Sequence, residues 1–111
     1  MLPKKNRLTK SVDFNRLKKG KKIIGKHVRL FYLPGSQQES RVGIVVSKVV
    51  SKNASVRNKA KRAIREAVRR NFYRFNGVWD VVIIANPSSA RAYTNEIMED
   101  LHSVFTKSPL V

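Results

Sequence analysis

Val56-Arg57-Asn58-Lys59-Ala60-Lys61-Arg62-Ala63-Ile64-Arg65-Glu66-Ala67-Val68-Arg69-Arg70 is the stretch on which the fold turns. At about 100° per residue, Val56, Ala60, Ala63, Ile64 and Ala67 share one face of a helix. Asn58, Lys61, Arg62, Arg65 and Arg69 lie opposite them. Ser55 is in place to cap the first turn. A face that only confers solubility normally mixes both signs of charge, whereas this one holds a single acid, Glu66. Crowded cations repel one another, and a polyanion relieves that repulsion well. The helix therefore points to nucleic acid. The competing reading, a merely solvated face, fits poorly with the shortage of acids.

Outward from this helix the pattern alternates between short helices and strands. Ser11 caps a helix over Val12 to Lys19 that ends at Gly20. His27 to Leu33 reads as a strand, with Val28, Leu30 and Tyr32 on one face and Arg29, Phe31 and Leu33 on the other. Arg41 to Lys48 reads as a second strand, and Gly43 within it predicts a bulge or a close backbone approach. Val49 to Ala54 is a loop. Asp80 to Ala85 is a continuous apolar strand covered on both faces. A last helix follows Thr94 and buries Ile97, Met98, Leu101, Val104 and Phe105. The expected order is α-β-β-α-β-α: a small α+β sandwich of a mostly antiparallel sheet with helices, two or three layers deep, in one domain over residues 1–111.

Composition supports the same partner. The chain has 111 residues and a formal net charge of +17, from 24 Lys+Arg against 7 Asp+Glu. Its 41% hydrophobic content suits a folded domain and is too high for a disordered basic tail. Charge is concentrated in residues 1–29 and 48–74, while residues 75–111 are slightly acidic. The chain has no cysteine, which removes disulfides, cysteine-ligated zinc and thiol nucleophiles. No apolar run approaches a membrane span, and Met1 to Lys10 is too polar for a secretory signal. The sequence reads as a soluble, cytoplasmic protein that binds nucleic acid.

Ser47-Lys48, Asn53-Ala54-Ser55-Val56-Arg57-Asn58-Lys59-Ala60-Lys61-Arg62 and Ile64-Arg65-Glu66 closely resemble the signature of the bacterial ribonuclease P protein family. Arg7-Leu8 with Asp13-Phe14, Arg41-Val42-Gly43-Ile44, Asp80 to Ala85 and Leu101-His102-Ser103-Val104-Phe105 extend the likeness over nearly the full chain. The family often has Arg where this chain has Lys59, a β-branched residue or Leu at Ala60, and an aromatic at Lys18. The resemblance implies an accessory subunit of the endoribonuclease ribonucleoprotein that removes the 5′ leader from precursor tRNA. Catalysis would belong to the RNA subunit and to magnesium ions bound mainly by it. It also implies a left-handed β–α–β crossover, an exception to the usual handedness, and a leader cleft between the first helix and the sheet. No DNA or membrane partner is expected.

Specific residues carry these expectations. Arg57, Asn58, Lys59, Lys61, Arg62, Arg65 and Arg69 would face the catalytic RNA, with Asn58 near RNA-bound magnesium. The arginines offer planar, bidentate contacts to phosphate. Phe14, Phe31, Arg29 and Lys48 would bind the leader, because aromatic rings stack on the bases of single strands. Core packing competes for each ring; matching to the family puts Phe31 on the cleft face and Tyr32 in the core. Trp79, Phe72 and Phe105 read as core, and His27 and His102 as structural or surface residues. Asp13, Glu66 and Asp80 fall on three separate elements, which gives an autonomous nuclease no converging acids. A small basic ribosomal protein or a general RNA-binding protein is the alternative, and only the signature separates it from the family reading. For a DNA-binding factor no second helix is placed to form a helix-turn-helix.

Overall fold

The structure, a computed structural model, describes residues 2–111. After a helical turn at Lys4–Asn6 come α1 (Ser11–Lys18), β1 (Lys21–Ile24), β2 (Val28–Pro34), β3 (Arg41–Val45), α2 (Ala54–Asn71), β4 (Trp79–Ala85) and α3 (Thr94–Lys107). The strands form one sheet in the order β1-β2-β4-β3. The β1–β2 and β2–β4 pairs are antiparallel and β3–β4 is parallel, so the sheet is mixed. The parallel pair is joined through α2, as a β–α–β crossover.

The additional strand β1 corrects the expected order to α-β-β-β-α-β-α. Lys21-Lys22-Ile23-Ile24 is short, lies at a sheet edge and turns only Ile23 toward the main core. Four residues with one inward side chain carry no alternation to read.

Each face of the sheet has its own apolar cluster. On one face, Val28, Leu30, Val81 and Ile83 meet α2 through Ala60, Ala63, Ile64 and Ala67, and α3 through Ile97, Leu101, Val104 and Phe105. The small side chains of α2 let it lie close to the sheet, and fully burying a residue such as Ile64 contributes about 1.5–3 kcal/mol. On the other face, Val82 and Ile84 meet Leu8 and Leu17, with Phe14, Phe31, Leu33 and Val45 packed around them. The continuous apolar run of β4 is thus covered on both sides, as expected.

Several boundaries differ from expectation. Helix α1 begins at Ser11 itself, with Lys10 at its N-cap and no side-chain cap, and ends at Lys18; β2 lies one residue later, over Val28–Pro34, and β4 starts one residue earlier, at Trp79. The N-cap of α2 is Asn53, not Ser55: the Asn53 Oδ1 accepts from the Ser55 backbone N–H at 2.9 Å and from its hydroxyl at 2.8 Å. Ser55 is a donor here, and Asn competes equally well for a cap. Val56 is only half-buried, while Val68 and Asn71 complete the inner face. Strand β3 ends at Val45 rather than Lys48, because the chain turns where Val50 N–H donates to the Ser47 carbonyl at 3.0 Å.

Gly43 marks a close approach. A Cβ there would stand 2.6 Å from the Phe14 ring and 2.9 Å from the Leu8 carbonyl oxygen. Leu8 N–H donates to the Val42 carbonyl at 3.0 Å, so the N-terminal segment runs along the outer edge of β3.

Candidate nucleic-acid interface

Cross-strand register arranges the α1 side of the sheet into three rows, since directly opposed residues project from the same face. The first is Leu33–Asp80–Arg41, the second Lys22–Phe31–Val82–Gly43, and the third Ile24–Arg29–Ile84–Val45. The three rows differ in how far α1 covers them. The first is closed by Arg16, which donates to Asp80 Oδ2 at 2.7 Å. The second is closed over Gly43, where Phe14 stands over the glycine, and over the fully buried Val82, which packs with Leu8 and Leu17; it opens only from Phe31 toward Lys22. In the third, Ile24 is 65% exposed, and Arg29 and Val45 are half-buried. The result is a trough with Phe14 in its wall and the half-buried ring of Phe31 in its floor. Tyr32 points the other way, into the core, edge-on to Trp79 with ring centroids 5.8 Å apart. Arg29 donates one guanidinium N–H to Asn86 Oδ1 at 2.7 Å, which orients it along the floor.

The closed end is held by ions. Asp80 is fully buried and accepts from Arg41 at 3.1 and 2.9 Å as well as from Arg16. Asp13 adds contacts at 3.6 Å to Arg16 and 3.7 Å to Arg41. Burial alone would raise the Asp80 carboxyl, but hydrogen bonds and charge from Arg41 and Arg16 outweigh it and hold the group below its ordinary value. Asp13 and Asp80, expected to lie apart, are therefore brought together through two arginines. The sequence hides this because 64 residues separate Arg16 from Asp80. Their carboxylates are occupied by cations, and the cluster pins α1 to the sheet.

The cations of α2 divide into spent and free. Arg57 donates to the carbonyls of Ser51 and Lys52, both at 3.0 Å, and ties the helix to the preceding loop. Arg69 and Arg70 both pair with Glu66, whose carboxyl is pushed down to about 2 by hydrogen bonds from Arg69 and then Arg70. Among the described residues, Lys59, Lys61, Arg62 and Arg65 form no ion pair, and Asn58 is exposed. The first turn contains no acid, so the positive end of the helix dipole adds to this field. The seven expected contact residues do not form one stripe. Lys61 and Arg65 border a cavity of about 210 Å³ beside β3 and the N-terminal segment. Lys59, about 160° round the helix from Lys61, lies on the opposite flank.

Comparison with known proteins decides what this arrangement belongs to. The family model described as Ribonuclease P matches residues 2–108. The chain belongs to the ribonuclease P protein family. The ribonuclease P protein component of Caldanaerobacter subterraneus is 31% identical over 111 residues, covering 99% of this chain and 95% of that protein. That of Thermus brockianus is 41% identical over 98 residues, 88% of this chain; the chain spans 57% of the length of that relative. The solved structure of the Staphylococcus aureus RNase P protein superimposes with a TM-score of 0.85 at 30% identity, covering 95% of this chain and 96% of that one. The Thermotoga maritima RNase P protein gives 0.78 at 28% identity, covering 92% and 96%.

As a ribonuclease P protein, the chain places Lys48 at a junction. Lys48 sits in the turn that leaves β3 beyond Val45 and leads to the start of α2. The open third row and the Arg57–Asn58 end of α2 therefore lie at the same end of the sheet, on opposite faces, with Lys48 between them. His27 is buried with its Nδ1 3.0 Å from Ser88 Oγ, and exposed His102 lies 3.0 Å from Asn71 Oδ1. Both have structural partners. Phe105 is fully buried, and Phe72 and Trp79 pack at the rim of the main core. No helix of the described residues is long and apolar enough to cross a membrane.

Proposed function

We propose that this chain is the RNA-binding accessory subunit of ribonuclease P, acting in the cytoplasm on precursor tRNA. The observation that carries the reading is the trough floored by Phe31 on one sheet face, set at the same end of the sheet as the free cations and exposed amide of α2 on the other. A single strand lying in the trough meets an aromatic ring and Arg29. A folded RNA against α2 meets Asn58, Lys61, Arg62 and Arg65. One rigid body then holds leader and catalytic RNA in fixed relation, so its contribution is positioning.

Magnesium fits this scheme as a partner of the RNA. Among the described residues no three His, Cys, Asp or Glu side chains converge, and Glu66, the one acid on α2, is taken by Arg69 and Arg70. Asn58 offers a neutral, exposed amide that suits the water shell of an ion already held by phosphates. Bound to the RNA, magnesium would supply the charge stabilisation that phosphodiester hydrolysis needs.

The test is reconstitution. Adding the protein to a bacterial ribonuclease P RNA at low magnesium should restore cleavage of precursor tRNA at its 5′ end, while RNA-free protein should cleave nothing. RNA-independent cleavage that survives purification and is lost in Asp13→Ala, Glu66→Ala or Asp80→Ala, in a variant whose fold is intact by circular dichroism, would overturn the reading. Phe31→Ala should weaken holoenzyme binding to precursor tRNA about tenfold, near the low end of the 1–3 kcal/mol typical of base–aromatic stacking, since one face of the ring is packed. Mature tRNA, with no leader to stack, should be affected little. A large fall in thermal stability with equal loss on both tRNAs would make Phe31 a core residue instead.

A further inference from the structure

β1 lies on the open side of the trough. Its register puts Lys22 directly opposite Phe31 and Ile24 directly opposite Arg29, so both side chains project from the trough face. Lys21 and Ile23 project from the other face, and only Ile23 packs on the main core. The floor therefore continues past β2 by one strand spacing, about 4.8 Å, and ends in a cation and an apolar side chain. Ile24 is 65% exposed, a large apolar group with nothing folded over it. Lys22 is exposed and, among the described residues, forms no ion pair. No acid occurs between Asp13 and Glu39, whereas Lys18, Lys19, Lys21, Lys22 and Lys26 cluster there. An edge strand that carries an exposed lysine and isoleucine on the face it shares with an aromatic ring suits a strand of alternating phosphate and base.

We propose that β1 is a further binding site for the single-stranded leader: Lys22 holds the phosphate, and Ile24 contacts the base, of the nucleotide next to the one stacked on Phe31. This rests on the trough being the leader site. It adds that grip on the leader grows by one nucleotide at β1. Ile24 contributes an apolar surface that every base can use, and Lys22 a charge that every phosphate can use, so this step is indifferent to sequence.

The experiment measures affinity of the reconstituted holoenzyme for precursor tRNAs whose leaders lengthen one nucleotide at a time, at several salt concentrations. For the unaltered protein, affinity should rise again at the length that first reaches β1. Lys22→Ala should remove about 0.7 from the log–log salt slope, the value for one single-strand phosphate, which amounts to roughly a three- to fivefold loss at 0.15 M salt. Ile24→Ser should lower affinity without changing the slope. Both losses should be confined to leaders long enough to reach β1. Both side chains are exposed, and circular dichroism should report an intact fold. The proposal is overturned if both variants bind long leaders as tightly as the unaltered protein, or if they lose affinity equally at every leader length. Phe31→Ala separates the two levels. If it lowers leader affinity and the β1 variants do not, only the β1 step fails; if it has no leader-dependent effect, the trough is not the leader site.

Discussion

Asp80→Asn is expected to lower the melting temperature by roughly 12–24 °C. Asp80 is fully buried and receives three hydrogen bonds from Arg16 and Arg41. The neutral amide keeps the shape of the carboxylate and removes its charge, leaving two guanidinium groups facing each other across it. Breaking a buried pair from one side typically costs about 3–5 kcal/mol. The low end applies, because the Arg16 side chain is 39% exposed and can turn toward water, whereas Arg41 is 15% exposed and cannot. For a domain of this size each kcal/mol moves the melting temperature by about 4–8 °C. Thermal unfolding followed by circular dichroism reads the effect, and a shift below about 4 °C would mean that both arginines find other partners.

The same residue gives the change a pH signature. The Asp80 carboxyl is held below its ordinary value of 3.8 in the folded state, so its stabilisation is fully present above that value. It is lost as the pH falls through the lower, folded-state value. The gap in melting temperature between the unaltered protein and Asp80→Asn should therefore be constant from neutral pH to about pH 4 and narrow below it. A gap that narrowed between pH 7 and 5 would point to a different group.

How much of this was legible follows from how far apart the determinants lie. The periodicity of α2 and the double-sided run of β4 are local, so the sequence displays them directly. The cleft-side placement of Phe31 is also readable, since alternation fixes which residues share a face and the family likeness fixes which face that is. The closure of α1 on the sheet is not. It depends on Arg16, Arg41, Asp13 and Asp80 meeting across the chain, and separately none of them is distinguishable from a surface charge. Asp100 is similar: it looks like one acid in an ordinary helix, yet its carboxylate accepts the backbone N–H groups of Lys26, His27 and Val28 and holds the β1–β2 turn. On α2 the sequence shows seven contact candidates. Only the folded helix shows that Arg69 is spent on Glu66 and that Arg57 is spent on loop carbonyls.

That division of α2 can be measured by the sign and size of salt effects. Arg62 and Arg65 have no acidic partner among the described residues, and converting both to Ala removes two free charges. At about 0.9 per phosphate, the log–log salt slope for binding the catalytic RNA should flatten by about 1.8, roughly a thirtyfold loss at 0.15 M salt. Glu66, Arg69 and Arg70 together amount to a single positive charge, so replacing all three by Ala should flatten the slope by about 0.9 at most. Glu66→Gln should act in the opposite direction. The Glu66 carboxyl, pushed down to about 2, is ionised throughout the working range, and neutralising it releases Arg69 and Arg70. The slope should then steepen by up to about 0.9 and binding should tighten. If Arg62 and Arg65 can be removed without changing the slope, the catalytic RNA does not lie against this face of α2. If Glu66→Gln weakens binding, the acid holds its two arginines in a geometry the RNA needs, and its role is orientation rather than partial neutralisation.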